Sequence, residues 1–135
     1  MLVDSAGLNN LTGAILAGAI EVHRVVGPGL LESAYVECFK YELTARGLRF
    51  VAQHPLGMQY KSLQLESIYR MDLIVEDTVV IEVKSVETLT SLAKAQLLTY
   101  VRLAKKPAGL LINFNVERLM DGVRRVLNTM SGTRS

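Results

Sequence analysis

Three charged side chains interrupt the two predicted strands of the segment Met71–Val86, which otherwise has the pattern of two buried strands joined by a turn. Asp72, Glu82 and Lys84 stand where a buried sheet would carry residues such as valine. Two carboxylates held close together repel one another, and a divalent cation with oxygen ligands relieves that repulsion. Mg²⁺ bound by two carboxylates is typical of phosphate chemistry. A neighbouring lysine can activate a water or neutralise charge on a phosphate.

The register of the predicted hairpin decides whether the two carboxylates meet. Glu82 and Lys84 are two residues apart, so they share one face of their strand, and Ile81 and Val83 share the other. A three-residue loop, "EDT", pairs Asp72 with Glu82 and brings both carboxylates to one face. A two-residue loop, "DT", would pair Asp72 with Val83 and separate the carboxylates unless a bulge restores them. We expect the three-residue loop.

A simpler explanation of the same residues is an edge hairpin that carries solvated charges and a Glu–Lys ion pair. Because a D…ExK pattern arises often by chance, this explanation is favoured on the pattern alone. Two further motifs change the balance. Upstream, "GPGLLESAY" contains Gly29, Glu32 and Tyr35. Downstream, "QLLTY" contains Gln96 and Tyr100, which are one helical turn apart and share a helix face.

Together these motifs resemble a known group of nucleases. Asp72 and "EVK" resemble the active-site signature of the PD-(D/E)XK nuclease superfamily, whose acidic residues lie on such a hairpin. "QLLTY" resembles the QxxxY element of its RecB-like members, and "GPGLLESAY" looks like the signature of the GxxExxY family, a small bacterial family placed in that superfamily. The likeness extends from about Ile20 to Asn128, although Met71 stands where the superfamily's name has a proline.

The resemblance implies a metal-dependent phosphodiesterase that acts on nucleic acid, with DNA as the expected substrate. Asp72 and Glu82 would hold Mg²⁺, or Mn²⁺ in its place. Glu32 would be a further ligand, directly or through water, and the main-chain carbonyl of Val83 another. Lys84 would orient or activate the attacking water.

The same resemblance gives roles to the two residues of "QLLTY". Gln96 would hold the catalytic lysine or a substrate phosphate, and Tyr100 would support it. Gln96 also lies on a helix face rich in leucine and alanine, where a buried amide needs a hydrogen-bond partner. We therefore expect Gln96 to be part of the site.

Two other functions are compatible with the sequence. The first is a catalytically silent module of the same fold that binds nucleic acid or a protein. The intact set of Asp72, Glu82 and Lys84 argues against it, because loss of function usually removes one member. The second is a homodimer that hides part of an apolar surface. A dimer is compatible with catalysis and would place two sites on two strands.

The composition limits the class of protein. The 135 residues suit a single domain, 1–135, and 50% hydrophobic with 21% charged residues is a globular balance. A net charge of +2 is too small to indicate nucleic-acid binding by itself. Cys38 is the one cysteine, which fits a reducing compartment. The apolar segment "LTGAILAGAI" is too short to cross a bilayer and has no basic start, so we expect a cytoplasmic protein without a membrane segment.

The elements that must position these residues follow from the hydrophobic pattern and the Gly and Pro breaks. Their order predicts an α/β fold, and the resemblance implies a restriction-endonuclease-like core with a mixed sheet flanked by helices. The expected elements are a weakly ordered segment 1–9, helices from about Asn10 to Val25 and Leu31 to Arg46, a strand that ends near His54–Pro55, a second near Gly57–Tyr60, the charged hairpin, a helix over "TLTSLAKAQLLTYVRLAKK", a buried strand "GLLINFN", and a turn with a last strand in "VERLMDGVRRVLN".

Overall fold

A computed structural model describes residues 5–129, and within them five strands form a mixed sheet covered by three α-helices. The strands lie in the order β1-β2-β3-β4-β5, with β3 and β4 parallel and the other neighbouring pairs antiparallel. This is the restriction-endonuclease-like α/β fold that was predicted. The elements are α1 (Ser5–Val26), α2 (Glu32–Ala45), β1 (Phe50–Tyr60), β2 (Leu63–Val75), β3 (Val79–Lys84), α3 (Ser91–Ala104), β4 (Ala108–Asn113), a 3₁₀ turn (Leu119–Gly122) and β5 (Val123–Leu127).

Alternation along β3 divides the core into two layers. Ile81 and Val83 pack with α1 and α2 on one face of the sheet, in what we call the α1–α2 core. Val80 packs with Leu97 and the rest of the buried face of α3 on the other, in what we call the α3 core. Because β3 lies in the middle of the sheet and is covered on both faces, any polar side chain on it is withdrawn from water.

The first helix is longer than its sequence pattern predicts. α1 begins at Ser5 rather than near Asn10, so residues 5–9 are helical and only 1–4 of the segment expected to be weakly ordered lie outside the described residues. Leu8, which is buried, extends the apolar face of the helix by one turn. Among residues 5–129, no helix combines the length and hydropathy needed to cross a bilayer.

The prediction of two separate strands between residues 50 and 60 is wrong, because β1 runs without a break from Phe50 to Tyr60. Pro55 is tolerated because β1 is an edge strand, where a missing N–H removes no bond to an outer neighbour. The pairing with β2 shifts between Leu56 and Met58. A side chain at Gly57 would meet the carbonyl oxygen of Leu65 at 2.6 Å, so this irregularity requires glycine.

The helix over "TLTSLAKAQLLTYVRLAKK" is confirmed as α3, with Thr90 as its N-cap. The side chain of Thr90 accepts a hydrogen bond from the backbone N–H of Ala93 at 3.1 Å. Leu92, in the first turn, does not belong to the buried face, since it is 76% exposed. The helix instead buries three other residues against the sheet: Leu97, Tyr100 and Val101.

The close approach of α3 to β4 depends on Gly109. A Cβ at this position would lie 2.7 Å from the Val101 Cγ2 atom and 2.9 Å from the Leu97 Cδ1 atom. Both neighbours are fully buried and cannot move aside freely. Gly109→Ala should therefore lower the free energy of unfolding by about 1–3 kcal/mol, measured by urea denaturation.

Gly13→Ala is the matched control for that substitution. Gly13 is an exposed residue of α1, and nothing lies within 4 Å of where its Cβ would be. Alanine should raise the stability there by about 0.5–1 kcal/mol, because it restricts the unfolded chain and suits a helix. Equal effects of the two substitutions would show that α3 does not pack tightly against Gly109.

Candidate active site

The predicted register of the charged hairpin is confirmed. Val75 pairs with Val79 and Leu73 with Ile81, which leaves the three-residue loop 76–78 and continues to Asp72 opposite Glu82. Asp77 lies at the centre of the loop with φ 52°, a left-handed conformation that aspartate tolerates. The alternative two-residue loop, which would separate the carboxylates, is excluded.

At the end of this ladder the two acidic side chains take over the hydrogen bonding between the strands. The backbone N–H of Asp72 donates to Glu82 Oε2 at 3.0 Å, and the backbone N–H of Val83 donates to Asp72 Oδ2 at 2.8 Å. Each carboxylate is thus held by the main chain of the opposite strand. The two carboxylates cannot turn away from one another without breaking these bonds.

The pair is held in a poorly solvated place. Glu82 is 8% exposed and Asp72 is half-buried. Burial, and then the negative charge of Asp72, raise the pKa of Glu82 to about 8. Burial also raises the pKa of Asp72, although the hydrogen bond from Val83 and the charge of Lys84 oppose the increase. Without a cation, the pair therefore retains a proton near neutral pH.

Glu32 lies close to this pair, at the first residue of α2. Its negative charge raises the pKa of both Asp72 and Glu82. Glu32 Oε2 accepts a hydrogen bond from the backbone N–H of Ser85 at 3.3 Å, directly after the end of β3. The Glu32 side chain is exposed to solvent.

The loop before α2 is attached to the end of β3 by Ser85 and stiffened by Tyr35. The Ser85 hydroxyl donates to the Leu30 carbonyl at 2.6 Å. The Tyr35 hydroxyl donates to the Gly27 carbonyl at 2.6 Å and accepts from the Leu30 N–H at 3.1 Å. Its ring stacks on Phe114 with a centroid separation of 4.6 Å. In "GPGLLESAY", tyrosine therefore fixes the loop that carries the glutamate.

The two residues of "QLLTY" have different environments. Tyr100 is buried; burial and then the charge of Glu82 raise the pKa of its hydroxyl. Its ring centroid lies 5.4 Å from that of Tyr69. Gln96 is exposed, and its side chain takes part in none of the hydrogen bonds found among residues 5–129, so the expectation of a buried amide is wrong. Its part in the site remains a prediction.

Asn113, at the end of β4, supports the site and was missed in the sequence. It is 2% exposed; its Oδ1 accepts from the Val86 N–H at 3.0 Å and its Nδ2 donates to the Val86 carbonyl at 2.9 Å. These bonds hold the chain just after Lys84, where it leaves the sheet. A polar residue that ends the apolar run "GLLIN" was the available signal.

The donor set fits a hard divalent cation. Among residues 5–129, no three His, Cys, Asp or Glu side chains form a closed cluster. Mg²⁺ does not need one, because it commonly binds one or two carboxylates and keeps several waters. The fixed oxygens of Asp72 and Glu82 and their raised pKa values are what a site for such an ion would show before binding.

The comparison with protein families agrees with this geometry. The family model of the PD-(D/E)XK nuclease superfamily matches residues 9–126. The chain belongs to the PD-(D/E)XK nuclease superfamily. No curated protein and no solved structure matches the chain. The part that matches the PD-(D/E)XK model contains the whole charged hairpin, the loop with Glu32 and helix α3.

The raised pKa of Glu82 makes the stability of this PD-(D/E)XK domain depend on pH. The folded state binds a proton between the ordinary pKa of 4.5 and about 8, whereas the unfolded state has lost it. Stability in EDTA should therefore be highest below this range and fall as the pH rises through it, by on the order of 1 kcal/mol per pH unit. The measurement is urea denaturation from pH 5 to 8.5.

Glu82→Gln is the control, because its amide is neutral and its oxygen can still accept the bond from the Asp72 N–H. This variant should show a much shallower fall over the same pH range. Equal slopes in wild type and variant would contradict a protonated Glu82 in the folded state.

Proposed function

We propose that the protein is a Mg²⁺-dependent nuclease that hydrolyses phosphodiester bonds in nucleic acid, with DNA as its substrate. The observation that supports this most is the exchange of hydrogen bonds at the end of the hairpin, which fixes Asp72 and Glu82 side by side. The positive charge of Lys84 acts on both carboxylates and lowers the pKa of each. Membership of a nuclease superfamily supports the reaction class.

Each residue of the proposed site has a separate role. Bound Mg²⁺ supplies a Lewis acid and a water of lowered pKa. Asp72 and Glu82, once deprotonated, would hold the ion, and the Val83 carbonyl would be a further ligand. Lys84 orients the attacking water and balances the charge that builds on the phosphate. Glu32 would contribute to holding the ion, directly or through water, and its exposure and its bond to Ser85 are compatible with this role.

The α3 residues complete the proposed site. Tyr100 is buried and close enough to Glu82 for the charge of Glu82 to raise the pKa of its hydroxyl, so it helps to keep water away from this side of the site. Gln96 lies one turn earlier on the same helix and is exposed, so it is free to contact a substrate phosphate or Lys84. We assign Gln96 to the contact with the substrate phosphate. Loss of the Gln96 side chain should weaken activity less than loss of the Lys84 side chain.

We also propose that the chain belongs to the GxxExxY group within the superfamily. This assignment is supported by the separate structural roles of the glycine, the glutamate and the tyrosine in "GPGLLESAY". Gly29 has φ 103°, a conformation that favours glycine, and Tyr35 holds the loop by two hydrogen bonds. Glu32 is thereby placed near Asp72, whose pKa it raises. A cytoplasmic location and a homodimer that would place two sites on two strands belong to the same proposal.

Divalent cations should stabilise the folded protein, because the ion binds a carboxylate pair that exists only after folding. At neutral pH, millimolar Mn²⁺ should raise the melting temperature of the wild type by several degrees. Asp72→Asn should lose this response, since one of the two charged ligands is gone. The measurement is thermal unfolding with and without Mn²⁺, with K⁺ at the same ionic strength as the control. An identical response of wild type and Asp72→Asn would contradict a site at this pair.

Lys84→Ala should abolish cleavage and leave folding nearly intact, because a half-buried lysine beside two carboxylates contributes to charge balance more than to packing. The measurement is hydrolysis of duplex, single-stranded and branched DNA and of RNA, in Mg²⁺ or Mn²⁺ and in EDTA. The expected loss is at least about 100-fold.

Lys61→Ala is the matched control for the charge change, since Lys61 is exposed in the turn between β1 and β2. It should cleave like the wild type. If the wild type shows no metal-dependent hydrolysis of any of these substrates above the Lys84→Ala background, the protein is instead a silent binding module of the same fold.

A further inference from the structure

Gln53 has an unusual backbone conformation in the middle of β1. Its φ is 54°, in the left-handed region that residues other than glycine rarely adopt within a strand. The pairs Ala52–Leu73 and His54–Met71 lie on either side of it without a change of register. The strained residue therefore stands directly opposite Asp72.

Both strands change the core that they face at this pair. On β1, Ala52 packs against the α1–α2 core and Leu56 belongs to the α3 core. On β2, Leu73 belongs to the α1–α2 core and Met71 to the α3 core. Residues two or four apart in a regular strand share a face, so the pleat is interrupted between them, at Gln53 and its partner. The strained backbone of Gln53 thus lies where the paired strands β1 and β2 change the core that they face, beside the site.

The side chain of Gln53 is directed to the same place. Its amide is close enough to the Asp72 carboxylate to oppose the rise in the pKa of that group. The two residues line a cleft of about 320 Å³ together with Glu32 and other residues of α2. Gln53 is exposed, so it does not serve the hydrophobic core. An amide can hold a carboxylate by its N–H without adding charge, and its oxygen remains free to accept a bond from an ion-bound water.

We propose that Gln53 is a positioning residue, which holds the Asp72 carboxylate in the orientation that the cation shared with Glu82 requires. Asp72 Oδ2 accepts a hydrogen bond from the Val83 N–H of β3, and Gln53 lies on β1, the neighbour on the other side of β2, and lines the same cleft as Asp72. Strained backbone at such a position is maintained where the surrounding structure and the function require it. This inference rests on the cation site of the proposed function.

The test measures Mn²⁺ affinity directly, by isothermal titration calorimetry at constant pH, in addition to any measurement of cleavage. Gln53→Gly retains the left-handed backbone and removes the amide, and Gln53→Met retains the length and removes the hydrogen bond. Both should bind Mn²⁺ about tenfold more weakly than the wild type, as expected when a residue that orients a metal ligand is lost. Gln64→Gly, which removes an exposed glutamine of β2 far along the same ribbon, should bind as the wild type does.

The outcomes separate this inference from the proposed function. Unchanged affinity in Gln53→Gly, with wild-type binding intact, would overturn the positioning role and leave the cation site standing. Absence of Mn²⁺ binding in the wild type would overturn both. Gln53→Gly should also remain folded, because glycine relieves the strain at φ 54°. Its melting temperature in EDTA, at or above that of the wild type, distinguishes weak ion binding from poor folding.

Discussion

The hydrogen bonds exchanged between Asp72 and Glu82 and the facing main chain are the constraint on which the site depends. In an ordinary antiparallel ladder, backbone N–H groups donate to backbone carbonyls. Here the N–H groups of Asp72 and Val83 donate to side-chain carboxylates instead. The regular pairing of the hairpin therefore ends at the position where the two carboxylates are held together. Burial, and then the charge of Asp72, raise the pKa of Glu82, so keeping both acids ionised at this place costs free energy.

The surrounding elements make that arrangement persistent. The parallel neighbour β4 and the covering helices keep β3 buried on both faces, which denies Glu82 the solvent that would relieve its charge. Asn113 fixes the chain after Lys84, and Ser85 joins that chain to the loop before α2. The third acid, Glu32, is therefore attached to the same short segment of backbone as Lys84.

Much of the site could be predicted because local rules govern it. Alternation in "VVIEVK" and the length of the loop determine the register, and the register determines which acids meet. Other features depend on tertiary packing that no local pattern contains. Leu97 and Val101 of α3 are buried where Gly109 of β4 leaves room for them. Pro55 lies within one long strand because β1 is at the edge of the sheet. The left-handed Gln53 has no sequence signal, since glutamine does not mark such a conformation.

Diffraction from crystals grown or soaked in Mn²⁺ tests the central claim most directly, because the anomalous signal of the ion gives its position without reference to activity. We expect a single strong peak between Asp72 and Glu82, about 2 Å from an oxygen of each. The hydrogen bonds from the two backbone N–H groups should remain in place beside it. A peak elsewhere, or no peak at saturating Mn²⁺ with the carboxylates still paired, would contradict the proposal that this acidic pair is a cation site.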